Sequence, residues 1–400
     1  MKKSVLIFGA GLNQLTLIKA AKELGTTSVV IDPNPAAPGR KMADFFYCVA
    51  ADDYRETKKI AIKNKVHGIV TGQMEQPLKI MARLAADLGF IFHSPEVVER
   101  CRNKYLMKKV FQNNNVASAR GKLFRADEVI RSESLNELGF PLILKPSDSY
   151  SSRGVFKINT FAELSNFIDR TRAFSSDNSV VLEEFIEGPE YSIEAITYEG
   201  KTTIVQYTEK IITPFPNTVE IGHIQPALIG HNQKRQVDSI VKMALKALGI
   251  NNSASHTELK LTSKGPVIIE IGARLGGDFI PSYLTLASTG VDMDKAAIQV
   301  ALGQEPDLKK KCSRHSYIKY LELEEGRLVT EIRDYSDISN HPEVVIAHVF
   351  VQPDDVIAGL TDSAKRPGCV MVHGGSNKEV RKRGEKLAGL LKSRIVLNGD

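Results

Sequence analysis

Cysteine is scarce in this chain: Cys48, Cys101, Cys312 and Cys369 are the four in 400 residues, far apart and in no metal-ligand spacing. So few thiols exclude a disulfide scaffold and predict a reduced compartment. Long uncharged apolar runs are missing, which argues against a transmembrane helix. The opening MKKSVLIFGAGLNQL sets two lysines before apolar residues, as a signal peptide does. It has no small-residue cleavage site and runs straight into a strand–helix pattern, so it is expected to be the first strand of a cytoplasmic protein. The net charge of +6 is mild. With no zinc-finger spacing, aromatic-basic ribbon or basic tail, neither nucleic acid nor a membrane is an expected partner. The lysines at 309–311 read as a solvated linker. No Ser-His-Asp or Cys-His arrangement is evident, which argues against a protein nucleophile.

What is present is ordinary globular composition, 42% hydrophobic and 25% charged, in a chain long enough for two or three domains. Apolar strands are expected at 4–8, 28–31, 47–49, 68–71 and 89–92, separated by helical segments such as 13–24. That alternation predicts a parallel sheet covered on both faces, in a first α/β domain at 1–95. The second domain, at 96–308, begins with a helix from Glu96 that carries Lys104 and Lys108. It continues through strands at 142–145, 180–185 and 191–197 and helices at 161–171 and 238–248. Beyond the lysine run, a third α+β domain at 309–400 is expected to place strands at 316–323, 344–351 and 369–373 before a helix at 378–391. The turn Gly9–Ala10–Gly11 with Asp32 invites a dinucleotide reading, and hence a nicotinamide-dependent oxidoreductase. However, G-x-G-x-x-G needs a third glycine, and position 14 is Gln.

The run from Gly265 to Pro281, GPVIIEIGARLGGDFIP, carries the most information. A strand there puts Glu270, Gly272 and Arg274 on one face and Ile269, Ile271 and Ala273 on the other. Upstream, His256, Glu258 and Lys260 repeat the spacing, with Leu259 and Leu261 opposite. Paired strands of this kind offer two carboxylates to a hard divalent cation, flanked by positive charge. The competing reading of Glu270 and Arg274 is a structural ion pair. Lys145 ends a short apolar strand and precedes a small-residue loop, 147–154, able to wrap phosphates, although no Walker A pattern exists. Farther on, Glu183–Glu184–Phe185–Ile186 and Gly188–Pro189–Glu190 place acids where an adenine amino group and ribose hydroxyls could be met; an exposed acidic turn is the alternative.

This order of a helix lysine, a strand-end lysine, a serine-glycine loop, E-x-F-I-x-G-x-E and two acidic strands ending in E-x-x-x-R resembles the ATP-grasp superfamily. The likeness spans nearly the whole chain, with its motifs between Lys104 and Asp278. It implies an ATP-grasp fold: an N-terminal parallel-sheet domain, a lid subdomain at about 115–190, a core and a C-terminal α+β domain. By position it implies Lys104 and Lys145 on the nucleotide phosphates and Ser151, Ser152 and Gly154 in a mobile phosphate cover. Glu183, Phe185 and Ile186 would hold adenine and Glu190 the ribose. Glu258 and Glu270 would bind Mg2+, with Mn2+ as a substitute, and Arg274 would be the catalytic cation. The family commonly has Asn where Gly272 stands, which leaves a second magnesium in doubt.

The segment 273–278 and the tail 359–362 look like those of amino-acid ligases. The implied reaction is ADP-forming carboxylate–amine ligation through an acyl phosphate, with small-molecule carboxylate and amine substrates. Gly276 and Gly277 would admit a substrate carboxylate, Glu75 would meet a substrate ammonium, and His223 would line that pocket. A purine-biosynthetic or carboxylase-like enzyme is the nearest alternative, and a non-catalytic nucleotide-binding module a further one. A homodimer is the base-rate expectation for oligomeric state.

Overall fold

The segment SVLIF, apolar after its serine, forms the fully buried strand β1 (Ser4–Phe8) of a computed structural model that describes residues 2–149, 152–215 and 218–399. It pairs in parallel with β2 (Thr27–Asp32) and β4 (Gly68–Thr71), and β2 pairs in parallel with β3 (Phe45–Cys48). Helices Leu15–Glu23, Tyr54–Lys63 and Leu78–Leu88 connect and cover these strands, as a sheet buried on both faces requires. The strand expected at 89–92 is not formed. Gly89 ends the preceding helix in the left-handed region at φ 73°, and the N–H groups of Gly89 and Phe90 both return to the Ala85 carbonyl. Ser94 then caps the next helix, so the intervening residues have no ladder to join.

The single helix expected from Glu96 is two, Pro95–Arg102 and Lys104–Asn113. Asn103 breaks it with an extended backbone, and its side-chain oxygen accepts from the N–H groups of Tyr105 and Leu106. That cap turns Lys104 and Lys108 inward, and both are buried.

Two further sheets enclose the rest. The smaller runs in the order β5 (Gly121–Phe124), β8 (Val180–Glu184), β6 (Leu142–Pro146), β7 (Phe156–Ile158). The larger joins β9 (Glu190–Tyr198), β10 (Lys201–Ile212), β11 (Glu220–Gln225), β12 (Ser253–Thr262), β13 (Gly265–Gly272), β14 (His315–Tyr320), β16 (Val344–Val349) and β17 (Gly368–Gly374). Its order is β13-β12-β9-β10-β11-β14-β17-β16, so the C-terminal segment continues the sheet of the core. A short pair, β15 (Val329–Ile332) with β18 (Ile395–Leu397), lies beside it. Strands β10 and β11 lie in a stretch for which the sequence reading placed no element.

One face of the large sheet is apolar. Ile193, Ala195, Leu259, Ile268 and Ile271 pack there against Val237, Val241, Ala244 and Leu248 of helix His231–Leu248. The opposite face carries the charged residues and looks toward the small sheet across a cleft. Among the described residues, no helix is long and apolar enough to cross a membrane.

Candidate functional site

Strands β12 and β13 form the antiparallel hairpin that the sequence spacing implied, with Glu258 directly opposite Glu270 and His256 opposite Gly272. The register shifts after Glu258, where Leu259 faces Ile268 and Ile269 is passed over. This β-bulge corrects one expectation. Ile269 is not turned into the core but lines the cleft beside Glu270, while Ile268 takes the core position. His256, Glu258, Lys260, Glu270, Gly272 and Arg274 all line the same cleft.

Facing cations meet these carboxylates. Lys104 Nζ lies 2.9 Å from Glu270 Oε1 and donates to the Ser149 carbonyl at 2.6 Å. Lys210, near the C-terminal end of β10, reaches Glu190 at 2.5 Å and both Glu220 and Glu258 at 3.2 Å. Burial works against that ammonium, but Glu190, Glu258 and Glu220 outweigh it and raise its pKa well above the usual lysine range. Glu258 is also buried, yet Lys210 and then His256 hold its carboxyl well below the ordinary value.

Behind this row, His256 Nδ1 lies 2.5 Å from Glu194 Oε1. Burial disfavours the imidazolium, but Glu194 overrides it and the pKa rises to about 9. Gly276 makes this packing feasible: a Cβ there would stand 2.5 Å from His256 Nδ1 and 2.9 Å from Glu194 Oε1. Its missing side chain thus admits the His256–Glu194 pair. Gly277 sits against Gln73, and neither glycine lines the cleft.

On the opposite wall, strands β6 and β8 bring Lys145 and Glu183 together at 2.6 Å, both fully enclosed. The second Glu183 oxygen meets Lys108, also at 2.6 Å. Burial pushes the Lys145 ammonium down to about 8; Glu183 pulls the other way, and Lys108 and Lys104 add to the push. Burial likewise raises the Glu183 carboxyl, but the two lysines prevail and hold it below its usual value. Both oxygens of Glu183 are therefore engaged by lysine, which leaves Phe185, Ile186 and the Glu184 side chain as the more open parts of this wall. Ser152 lines the cleft with a left-handed backbone at φ 56°. Gly154 lies just outside it, with its carbonyl accepting from Thr171, and Ser151 lies outside the described residues.

Among the described residues, none from the N-terminal domain lines the cleft, but one touches a residue that does. Glu75, in the loop after β4, accepts from Arg274 Nε at 2.6 Å, and Arg274 also donates to the Leu275 carbonyl. His223 is elsewhere: it is 1% exposed, turned toward Asp278 at 2.8 Å, and not part of the cleft wall. Asp278 in turn receives both terminal nitrogens of Arg366, at 2.8 and 2.6 Å. The Gly9–Ala10–Gly11 turn is packed by the chain's own side chains. A Cβ on Gly9 would stand 2.5 Å from Met74 Sδ, Gln14 packs beside it, and Asp32 spends its carboxylate on the N–H groups of Ala10 and Asn34.

Lys210, Glu194 and Arg366 were not singled out from the sequence. A lysine inside the β-branched run of β10 was a usable signal, because a central strand seldom carries one unpaired. Arg366 had none, since its partner Asp278 lies 88 positions away.

The donor set can be tested against a divalent metal. Among the described residues, no three His, Cys, Asp or Glu side chains converge to hold an ion by themselves. Two opposed glutamates with lysines around them fit a hard cation that takes its remaining ligands from phosphate oxygens and water.

Residues 138–282 match the ATP-grasp domain family, and residues 319–396 match the L-amino acid ligase C-terminal domain 2. Alanine–anticapsin ligase of Bacillus subtilis is 31% identical over 281 residues, covering 64% of this chain and 58% of that enzyme. The chain thus spans little more than half the length of that curated relative. An L-amino acid ligase structure from Bacillus licheniformis superposes with a TM-score of 0.84 at 21% identity, covering 99% of this chain and 98% of that one. Phosphoribosylglycinamide synthetase from Anaerococcus prevotii follows with a TM-score of 0.79 at 24% identity and 99% coverage of both chains. At such identities the structural likeness is one of fold. The chain therefore carries an ATP-grasp domain at 138–282 and a C-terminal domain of the L-amino acid ligase type at 319–396.

Proposed function

We propose that this protein is an ADP-forming carboxylate–amine ligase that activates the carboxylate of an amino acid with MgATP and joins it to an amine, itself an amino acid. The observation that carries the reading is the Glu258–Glu270 pair, in register on adjacent strands and lining one cleft with Lys104, Lys145 and Arg274. Those two glutamates would hold magnesium, which supplies charge neutralisation at the transferring phosphoryl group.

The remaining work falls to the chain's own groups. Lys104 and Lys145 bind phosphate oxygens, and Ser152 contributes to the loop over them. Phe185 and Ile186 receive the base through backbone and apolar contact, and Glu190 takes the ribose. A carboxylate oxygen of the first substrate attacks the γ-phosphorus as the bond to the β-phosphate oxygen breaks, giving an acyl phosphate and ADP. Arg274, aimed by Glu75, steadies the charge on the transferred group. An amine nitrogen then attacks the acyl carbon, the bond to the phosphate oxygen breaks, and phosphate leaves with the amine's proton. Positioning and charge suffice, so no protein nucleophile is required.

Amino-acid substrates are favoured by the L-amino acid ligase C-terminal domain match. The fold likeness to phosphoribosylglycinamide synthetase keeps a purine-biosynthetic ligase as the second reading. The test is ADP release with ATP, magnesium and amino acids offered singly and in pairs. Release that needs two amino acids is the expected result. Release with none of them, or only with a phosphoribosylamine or bicarbonate, would replace this reading.

A further inference from the structure

A second cavity, of about 690 Å³, lies behind the nucleotide wall, between helix Lys104–Asn113 and strand β5. Its size is that of a small-molecule site. Its floor is apolar, formed by Val116, Ala119, Leu123, Phe124 and Leu138. Its rim is basic: Lys109, Arg120 and Lys122 stand around it, with Glu137 as the single acid among the lining residues. Lys122 already holds a carboxylate, that of Glu137 at 2.9 Å, and Glu137 is 78% exposed.

The two cavities share a wall, and ion pairs cross it. Lys108 lines the rear cavity and holds Glu183 at 2.6 Å, while Glu183 lines the nucleotide cleft and holds Lys145. One residue on, Arg120 lines the rear cavity and Glu184 the cleft; Arg120 Nε meets Glu184 Oε2 at 2.9 Å, and the Arg120 backbone N–H meets the other oxygen at 3.0 Å. Neighbouring glutamates on one strand are thus each tied to a cation on the far side.

We infer that the rear cavity binds a small organic anion with an apolar body, and that its occupancy weakens nucleotide binding in the cleft. The apolar part rests on the floor, and the anionic group replaces Glu137 at Lys122 and draws on Arg120 and Lys108. As Lys108 turns toward the ligand, Glu183 pairs more closely with Lys145. A lysine neutralised in that way is a poorer partner for phosphate. By thermodynamic reciprocity, nucleotide must weaken the anion by the same factor. This coupling goes beyond the proposed ligase reaction, because it needs only a nucleotide in the cleft.

The experiment uses the full chain and 8-anilinonaphthalene-1-sulfonate, an apolar-bodied monoanion, followed by its fluorescence. The expected result is one site per chain, weakened about tenfold or more in Lys109→Glu/Lys122→Glu. Glu137→Gln, which removes the competing carboxylate, should tighten it about threefold. Saturating MgADP should weaken the dye by a finite factor of about five or more that then levels off. Dye emission indifferent to the charge variants would mean general adherence to apolar surface and would overturn the site. Loss of the dye without limit as MgADP rises would place it in the nucleotide cleft and overturn it equally. A charge-sensitive site on which bound MgADP has no effect would overturn the coupling. MgADP binding itself is checked separately by equilibrium dialysis; its failure counts against the proposed ligase and leaves the dye and charge-variant results standing.

Discussion

Lys145→Met should stabilise the fold while removing much of the protein's grip on ATP. Burial holds the Lys145 ammonium at about 8 against an ordinary 10.5, even with Glu183 in contact. Keeping the charge on this side chain therefore costs about 3 kcal/mol of folding free energy at neutral pH, to order of magnitude. The sign follows from proton binding. Between pH 8 and 10.5 the unfolded chain holds more protons at this position than the folded one, so the charge penalty is full below about pH 8 and fades as the pH climbs toward 10.5. Methionine keeps the length and apolar bulk of the stem without the charge, and Lys108 remains at 2.6 Å as a countercharge to Glu183. The variant should gain up to about 3 kcal/mol at pH 7 and nearly nothing at pH 10.5. Urea unfolding followed by circular dichroism across pH 7 to 10.5, with hydrogen exchange in the strands Leu142–Pro146 and Val180–Glu184, reads this locally. Nucleotide affinity should meanwhile fall by about a hundredfold, the loss of one charge-assisted phosphate contact. A variant less stable than wild type at pH 7, or a gain that does not change with pH, would refute the reasoning.

Three other changes test separate parts of the site. Gly276→Ala drives a methyl group into His256 and Glu194 and should cost about 1–3 kcal/mol with a matching loss of activity, whereas Gly272→Ala meets nothing nearer than Arg274 at 3.5 Å and should fold normally; equal unfolding midpoints for the two variants would contradict this. Asp278→Asn removes the charge that Arg366 grips with both nitrogens and should destabilise by about 3 kcal/mol, seen as faster hydrogen exchange in His315–Tyr320, and an unchanged exchange pattern would count against the latch. Glu75→Gln leaves Arg274 Nε a neutral acceptor in place of a charged one and should lower kcat about tenfold with KM for ATP unchanged, and an unchanged kcat would count against Glu75 as the residue that aims Arg274.

How much of this was legible beforehand differs by kind of contact. The Glu258–Glu270 hairpin was readable because period-two spacing and a shared face are local properties of each strand. The bulge at Ile269 was not, since a bulge is a relation between strands and leaves the alternation of one of them intact on paper. The break at Asn103 could have been read, as Asn before a lysine-rich amphipathic stretch is a helix-start signal. The Lys108–Glu183–Lys145 and Asp278–Arg366 groupings depend on partners tens of residues apart, and no local pattern encodes them. His223 illustrates the limit: the family resemblance put it in a substrate pocket, but the fold turns it onto Asp278.

These pairings also bear on how MgATP enters. Lys104 is joined to Glu270, Lys145 to Glu183, Arg274 to Glu75, and Lys210 to Glu258 among others. A free triphosphate entering such a cleft finds cations already satisfied and carboxylates directly in its path. A metal-bound triphosphate presents both signs at once: under the proposed function Glu258 and Glu270 would turn to the cation and free Lys104 for phosphate, so ion pairs would be exchanged and no charge stranded. Like charges forced together in a closed site cost several kcal/mol. ATP should therefore bind about a hundredfold or more weakly in EDTA than with magnesium. The double variant Glu258→Gln/Glu270→Gln should shrink that gap to a few-fold by removing the carboxylates that repel the bare triphosphate. Calorimetric titration of both proteins with and without magnesium makes the comparison. A gap that stays the same in the double variant would mean that these two glutamates do not make nucleotide binding depend on the metal.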